Sequence, residues 1–324
     1  MILIITIGSD HSTNDVIDWL KKKKAKNIIR INEKDKIENL SIELNSSSTN
    51  IYIKIKDQKL LLSNISSIWS RKGRISIDNH ITKVITNDNI RTELYKHLHY
   101  EEETTLRNFL IHQLESKKQL GSHHHSNANK LISLLYAQEV GLKIPNTIVS
   151  TLKNELIGFD QQHDSIITKN IQDVVSFSVG NIGLSNTTKL VNKSDIEEMS
   201  DDFFPSQLQK NIKKKYELRI FYLNGACYSM AIFSQEDEQT KVDFRKYNRE
   251  KPNRTVPYQL PSSIENKLKA FMDKMQLNTG SIDMIVTPEL EYVFLEVNPC
   301  GQYGMTSIPC NYYLDEKIAD FLIA

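Results

Sequence analysis

The chain has 324 residues, with 41 Lys and Arg, 40 Asp and Glu and a formal net charge of +1. This length suits two or three domains, and a hydrophobic content of 39% excludes a wholly disordered or low-complexity protein. The balanced charge provides no global field for nucleic acid or membrane binding, so any basic site must be local.

The cysteines and the N-terminus bear on the cellular compartment. Cys227, Cys300 and Cys310 form no Cys-x-x-Cys pair and leave one cysteine over, which indicates reduced thiols. The apolar start of the chain lacks a leading positive charge, and no apolar run reaches the ~18 residues of a membrane-spanning helix. We therefore expect a cytoplasmic protein.

The N-terminal part predicts a small α/β domain over residues 1–118. The β-branched run 2–7 predicts a buried strand before a helix, and a second strand and a hairpin are expected over 27–31 and 51–62. A long helix is predicted from about 89 to 118. The loop after it carries His123, His124 and His125, whose role the sequence leaves open, because adjacent loop histidines have no fixed metal geometry.

A second module is predicted over residues 119–205. The pattern favours a helix over 130–140 and strands over 146–150 and 166–169. Residues 176–188 contain two glycines among Ser, Asn and Thr, which predicts a loop rather than packed strands.

The last module, residues 206–324, predicts an antiparallel sheet with a helix near 264–275. Its expected strands are 217–223, 226–233, 282–286 and 292–297. The sequence thus indicates a mixed α/β and α+β protein.

The last two predicted strands carry a group of oxygen ligands. Side chains alternate along a strand, so Glu296 and Asn298 point to one face. If the connection is a two-residue turn at Glu289-Leu290, Asp283 lies opposite Glu296 on that face. Leucine does not easily take a positive φ, so a type I or wider turn with a small slip in pairing is the alternative.

These side chains are candidate ligands of a metal ion. Two facing carboxylates destabilise a sheet unless a cation lies between them. Oxygen ligands suit Mg²⁺, which binds few carboxylates and completes its coordination with phosphate and water. Asp283, Glu296 and Asn298 therefore predict a magnesium site, and a solvated edge hairpin is the alternative from the residues alone.

Several motifs, in order along the chain, resemble those of a known enzyme family. Residues 294–299, Phe-Leu-Glu-Val-Asn-Pro, resemble the metal-binding end of ATP-grasp ligases. Segments 215–222, 242–245 and 309–314 resemble the graspetide peptide maturases, which are the macrocyclising ligases of microviridin-type and grasp-with-spasm systems. Residues 69–73, Trp-Ser-Arg-Lys-Gly, resemble the family's Trp-x-Arg-Arg segment.

The resemblance covers about residues 65–322 and implies an ATP-grasp fold with a small N-terminal α/β pre-ATP-grasp domain. It implies that two α+β subdomains hold ATP between them and that Mg²⁺ is required. The implied substrate is a ribosomally made precursor peptide, leader plus core, whose Asp or Glu side chain is phosphorylated. A Ser or Thr hydroxyl or a Lys amine of the same peptide then attacks, which gives a macrolactone or a macrolactam.

The resemblance also implies residue roles at the nucleotide. Two lysines stand where the family contacts the phosphates, and the adenine is expected along the strand that ends near residue 212. The residues expected to bind the nucleotide are Lys130, Lys169, Gln209, Lys210, Asn211, Ile212 and Glu217. Many relatives have Glu at the position of Lys210, so here only the backbone of that residue can serve.

Arg219 and Arg245 are the candidate catalytic residues under the same resemblance. A planar guanidinium suits the charge that spreads over a phosphoryl group during transfer. The structural alternatives are an ion pair between Asp243 and Arg245, and a salt bridge from Glu217 to a neighbouring lysine.

Two other functions are left open by the sequence. One is an ATP-grasp ligase that adds an amino acid or glutamate to a separate molecule, and the other is a nucleotide-gated peptide-binding module without catalysis. The intact set Asp283, Glu296 and Asn298 argues against the second. The lysine run 21–24 has no interleaved aromatic residues, so we expect no nucleic-acid partner. Formation of a homodimer and the choice between ester and amide are left open.

Overall fold

A computed structural model describes residues 1–78, 87–123, 128–172, 176–179, 182–185, 188–235 and 252–324. The chain divides into two compact units, of which the first comprises Met1–Ser126 with Tyr313–Ala324 and the second Asn127–Tyr312. The domain boundaries predicted at residues 118 and 205 stay predictions. In the described ranges, no helix is both long enough and apolar enough to cross a lipid bilayer.

The first unit contains a parallel sheet and an antiparallel sheet. Its described strands are β1 (Ile2–Ile5), β2 (Ile28–Ile31), β3 (Asn39–Leu44), β4 (Thr49–Ile55), β5 (Gln58–Leu61), β6 (Ser67–Ser70) and β7 (Lys118–Leu120). The parallel sheet has the order β2-β1-β6-β7, and the antiparallel sheet has the order β3-β4-β5. All of β1 is buried, as its β-branched run predicts.

The described part of the first unit also contains four α-helices. They are α1 (His11–Lys22), α2 (Asp88–His97), α3 (Glu103–Glu115) and α9 (Leu314–Ile323), and a π-helical segment (Leu98–Glu102) joins α2 to α3. Leu110 and Leu114 of α3 pack into the core with Leu3 of β1 and Ile68 of β6. The C-terminal helix α9 therefore belongs to the N-terminal unit, where it packs against α1.

A buried polar cluster lies where β1 ends. Asp10 accepts hydrogen bonds from Thr13 Oγ1 at 2.6 Å and Lys72 Nζ at 2.9 Å, and Arg71 Nε lies 3.4 Å from Asp10 Oδ2. Burial would raise the pKa of Asp10, but the hydrogen bonds from Thr13 and Lys72 and the charges of Arg71 and Lys72 together hold it below its ordinary value of 3.8.

Replacing Asp10 with asparagine should destabilise the first unit by about 3 kcal/mol near neutral pH, because the buried Arg71 and the partly buried Lys72 lose the carboxylate of Asp10. Since the folded-state pKa is lowered, the contribution of Asp10 is present above 3.8 and is lost as the pH falls through the folded-state pKa. Both tryptophans, Trp19 and Trp69, lie in this unit, so tryptophan fluorescence during urea unfolding monitors it. Equal urea midpoints for both proteins at neutral pH would contradict the prediction.

The second unit contains two larger antiparallel sheets in its described part. The central sheet consists of β8 (Thr147–Leu152), β9 (Ile166–Thr168), β12 (Lys189–Val191) and β13 (Asp202–Lys210), in the order β12-β9-β13-β8. The C-terminal sheet consists of β14 (Tyr216–Leu223), β15 (Ala226–Phe233), β16 (Arg254–Tyr258), β17 (Thr279–Val286) and β18 (Tyr292–Asn298), in the order β16-β15-β14-β17-β18. The predicted boundary at residue 205 falls within β13.

The loop predicted over residues 176–188 contains two strands, so that prediction was wrong. Strands β10 (Ser176–Val179) and β11 (Ile182–Ser185) pair antiparallel. The prediction gave more weight to the Gly, Ser and Asn content than to the alternation of apolar residues at positions 177, 179, 182 and 184. The intervening Gly-Asn dipeptide is itself typical of a two-residue hairpin connection.

Helices pack on the sheets of the second unit. They are α4 (Lys130–Glu139), α5 (Lys153–Gln161), α6 (Lys193–Glu197), α7 (Ser262–Lys274) and α8 (Gly304–Cys310). Phe271 of α7 packs against Phe294 of β18 with ring centroids 4.7 Å apart, in a core that includes Leu134 of α4. Gly141 follows α4 with a φ of 78°, and so ends the helix where the sequence predicts.

Candidate functional site

Asp283 of β17 and Glu296 of β18 lie opposite each other, as the sequence predicts. Of the two turns that the sequence left open between these strands, the two-residue turn is wrong and the wider one is present. The Thr287 N–H donates to Glu291 O at 3.0 Å, so the loop between them has three residues, and Leu290 takes a φ of 65°. The usual form of a three-residue loop is a type I turn followed by a residue in the left-handed conformation. The geometry of this turn therefore outweighs the preference of leucine for a negative φ.

A β-bulge restores the pairing that the longer turn shifts. Near the turn Met284 pairs with Phe294, whereas beyond the irregularity Asp283 pairs with Glu296, so Leu295 is an extra residue on β18. The bulge returns Glu296 to the face of Asp283. It also leaves Leu295 half-buried in the wall of a cleft.

The C-terminal sheet has one apolar and one polar face around this hairpin. Leu218, Ile220, Ile282 and Met284 are buried in the core against α4 and α7. Because side chains alternate along a strand, the residues between them point to the opposite face. The polar residues on that opposite face are Glu217, Arg219, Asp283 and Glu296.

Each of the two predicted metal-binding carboxylates contacts a basic side chain. Arg219 Nη1 lies 2.7 Å from both carboxylate oxygens of Asp283. Lys130 Nζ lies 3.3 Å from Glu296 Oε2, and it donates to the carbonyl of Gln172 at 3.1 Å. The predicted phosphate ligand Lys130 and the predicted catalytic Arg219 are therefore brought to the predicted metal ligands.

The donor set at this position consists of oxygen atoms. Asn298 lies opposite Ser281, one pair beyond Ile282 and Val297 along the hairpin, and its side chain is exposed. In the part of the chain that the structure describes, no three His, Cys, Asp or Glu side chains are grouped closely enough to hold a metal ion. Two carboxylates and an amide fit Mg²⁺, which takes its remaining ligands from phosphate and water.

Glu217 is held in a buried hydrogen-bonded group. Lys214 Nζ lies 2.5 Å from Glu217 Oε1, and Ser234 Oγ donates to Glu217 Oε2 at 2.6 Å. Burial raises the pKa of Glu217 above its ordinary value, only partly opposed by Lys214 and Ser234, and the charge of Asp283 adds to the rise. The contact with Lys214 is the neighbouring-lysine salt bridge that the sequence left open.

A cleft is lined by residues from both the central and the C-terminal sheet. Every predicted nucleotide-binding residue except Lys130 lines it, and so do two of the predicted metal ligands. The predicted residues in its lining are Lys169, Gln209, Lys210, Asn211, Ile212, Glu217, Asp283 and Glu296. Residues predicted separately for nucleotide and metal therefore surround one cavity.

The other residues that line this cleft were not predicted from the sequence. The additional residues are Pro145, Ile167, Thr188, Lys214, Leu218, Met284, Ile285 and Leu295. Apolar side chains on both walls suit a flat aromatic ring between them. Lys214 stands within a run of three lysines, and nothing in the sequence distinguishes it from its two neighbours.

Some predicted residues lie outside those that the structure describes. Arg245, with the segment 242–245, is one of them, and so are His124 and His125 of the histidine triplet. The catalytic role of Arg245 stays a prediction.

Comparisons with known proteins agree with this two-unit architecture. Residues 1–127 match the MvdD pre-ATP-grasp domain family. The whole chain is similar to a RiPP-associated ATP-grasp ligase from Chryseobacterium gregarium, with 27% identity, 99% of this chain and 96% of that chain covered, and a TM-score of 0.81. Residues 1–127 thus match a pre-ATP-grasp domain, and the chain as a whole is similar to a RiPP-associated ATP-grasp ligase.

The chain is also similar to two structures from Microcystis aeruginosa. The macrocyclase MdnC has 26% identity and a TM-score of 0.77, with 99% of each chain covered. The macrocyclase MdnB, at 22% identity, shares the fold, with 99% of this chain and 98% of that chain covered and a TM-score of 0.71. No curated relative matches the chain at a significant level. The ATP-grasp fold with a pre-ATP-grasp domain, predicted from the sequence, is confirmed.

Proposed function

We propose that this chain is an ATP-dependent ligase that macrocyclises a ribosomally made precursor peptide. The reaction joins an Asp or Glu side chain to a Ser or Thr hydroxyl or a Lys amine of the same peptide. The observation that carries the proposal is the single cleft in which Lys169, Glu217, Asp283 and Glu296 meet. The C. gregarium ligase was solved with ADP and a leader and core peptide, and MdnC with the precursor peptide MdnA.

The cleft has the parts that a nucleotide needs. Ile167 from one sheet and Ile285 and Leu295 from the other provide apolar contact for the adenine ring. Residues 210–212 lie at the end of β13 and just after it, and they also line the cleft. Their backbone groups can hydrogen-bond the edge of the base. Lys169 supplies a positive charge for the phosphates, and Glu217 is a carboxylate for the ribose or the metal.

Asp283, Glu296 and Asn298 would hold Mg²⁺, because they provide oxygen ligands on neighbouring strands. When bound, Mg²⁺ supplies positive charge to the phosphate oxygens during transfer. Arg219 and Lys130 already contact the two carboxylates, so phosphate groups placed there also meet these basic side chains. The site thus gathers positive charge where the γ-phosphoryl group is expected.

The reaction takes two displacement steps. A peptide carboxylate oxygen attacks the γ-phosphorus, the bond from that phosphorus to the β–γ bridging oxygen breaks, and ADP leaves. The hydroxyl or amine then attacks the acyl carbon, the carbon–oxygen bond to phosphate breaks, and inorganic phosphate leaves while the nucleophile loses a proton. Arg219 stabilises the charge on the transferred phosphoryl group, and Arg245 is proposed to share that role.

Mass spectrometry of a candidate precursor incubated with the enzyme, ATP and Mg²⁺ tests this function. We expect the peptide to lose one water for each link formed, with one ADP released per link. Alkaline hydrolysis opens an ester but not an amide, and so distinguishes a macrolactone from a macrolactam. ATP consumption with an unchanged peptide mass, or with addition of a free amino acid, would contradict macrocyclisation.

Replacing Lys169 with methionine should weaken ATP binding by about 10–100-fold, because a charge-assisted hydrogen bond to phosphate contributes roughly 1.5–3 kcal/mol. Isothermal titration calorimetry measures the effect. Lys189→Met is the matched control, since Lys189 is exposed on the neighbouring strand and is not part of the cleft lining. If Lys169→Met binds ATP as tightly as the wild type, Lys169 is only a surface lysine.

A further inference from the structure

Thr147 and Gln209 form a cross-strand pair between β8 and β13 at the wall of the cleft. Gln209 is buried and lines the cleft. Its side-chain Nε2 donates to Thr147 Oγ1 at 2.9 Å. Thr147 Oγ1 in turn donates to the carbonyl oxygen of Pro145 at 2.8 Å. The three residues form a short directed chain of hydrogen bonds.

The direction of this chain fixes which way the Gln209 amide faces. The Pro145 carbonyl can only accept, so it takes the single proton of the Thr147 hydroxyl. The Thr147 oxygen must then accept from Gln209, which requires the NH₂ group of the amide on that side. The Gln209 carbonyl oxygen lies on the other branch of the planar amide, and it has no hydrogen-bond partner among the described residues.

We infer that Thr147 is a positioning residue that sets the preference of the cleft for adenine over guanine. It holds the Gln209 carbonyl oxygen toward the cleft as a hydrogen-bond acceptor. The exocyclic amine of adenine is a donor and satisfies this oxygen, whereas guanine presents a carbonyl oxygen at the same ring position and leaves two acceptors face to face. The inference rests on the proposed function, in which the cleft binds ATP.

The side chain of the residue after Gln209 cannot accept a hydrogen bond from the base. Lys210 follows Gln209 at the end of β13, is exposed, and has no acceptor in its side chain. Of the two β13 residues that line the cleft, Gln209 is therefore the one whose side chain can distinguish the two bases. A glutamine with a free amide could rotate by a half turn and offer a donor to guanine instead.

Calorimetry of ATP and GTP binding to the full chain tests the inference with two variants of Thr147. Thr147→Val keeps the shape but removes the hydroxyl, and we expect the ratio of ATP to GTP affinity to fall about tenfold. Thr147→Ser keeps the hydroxyl and should keep the wild-type ratio. An unchanged ratio in a folded Thr147→Val protein, verified by circular dichroism, would overturn the inference.

A second measurement needs no variant. Inosine triphosphate has the carbonyl oxygen of guanine but lacks its 2-amino group, so the wild type should disfavour it relative to ATP about as strongly as it disfavours GTP. Equal affinities for ATP and inosine triphosphate would overturn the role of the Gln209 oxygen. A wild-type protein that binds none of the three nucleotides would instead refute the proposed function, and the inference with it.

Discussion

Replacing Arg219 with lysine should slow peptide cyclisation by about 10²–10³-fold, the usual effect of removing one donor to a developing negative charge. Lysine keeps the charge but loses the planar guanidinium, whose Nη1 contacts both carboxylate oxygens of Asp283. Because the lost interaction acts mainly in the transition state, kcat should fall far more than the KM for ATP rises. ADP release measured with precursor peptide at varied ATP gives both constants.

Arg254→Lys provides a matched control for this experiment. Arg254 lies on the edge strand β16 of the same sheet, is exposed, and is not part of the cleft lining. Its replacement should leave kcat near the wild-type value. Normal turnover in a folded Arg219→Lys protein would show that Arg219 is only the structural partner of Asp283, and it would leave Arg245 as the candidate for the phosphoryl charge.

Replacing Glu296 with glutamine should reduce ATP-dependent cyclisation to background. The change is nearly isosteric, so the fold is kept, but one of two anionic ligands expected for Mg²⁺ becomes a neutral amide. The same change also removes the negative charge that Lys130 contacts. Turnover followed as a function of Mg²⁺ concentration measures the effect, and any residual activity should require more metal.

Glu291→Gln is the control on the same hairpin. Glu291 is half-exposed and pairs with Lys143 outside the cleft lining, so its replacement removes a carboxylate without touching the proposed metal site. An exposed ion pair contributes about 0–1 kcal/mol, which should leave stability and turnover close to the wild type. Undiminished turnover of Glu296→Gln at limiting Mg²⁺ would remove Glu296 from the metal site.

The sequence by itself determined the local features that place the site. Alternation along β18 placed Glu296 and Asn298 on one face of the sheet, and Gly141 marked the end of α4. The motif resemblance identified the ATP-grasp fold, and resemblance and alternation together named half of the residues that line the cleft. These features depend on periodicity and on the conformational preferences of neighbouring residues, which one chain segment contains in full.

Only the tertiary structure decided which distant residues meet. The sequence left a two-residue turn and a wider turn open and predicted no compensating bulge, whereas the structure combines a three-residue loop with a bulge at Leu295, which restores the pairing of Asp283 with Glu296. Lys130 reaches Glu296 from a helix far earlier in the chain, and Gln209 takes its orientation from Thr147 on another strand. Register and side-chain partners are set by turn geometry and packing between segments, so the periodicity of one segment cannot specify them.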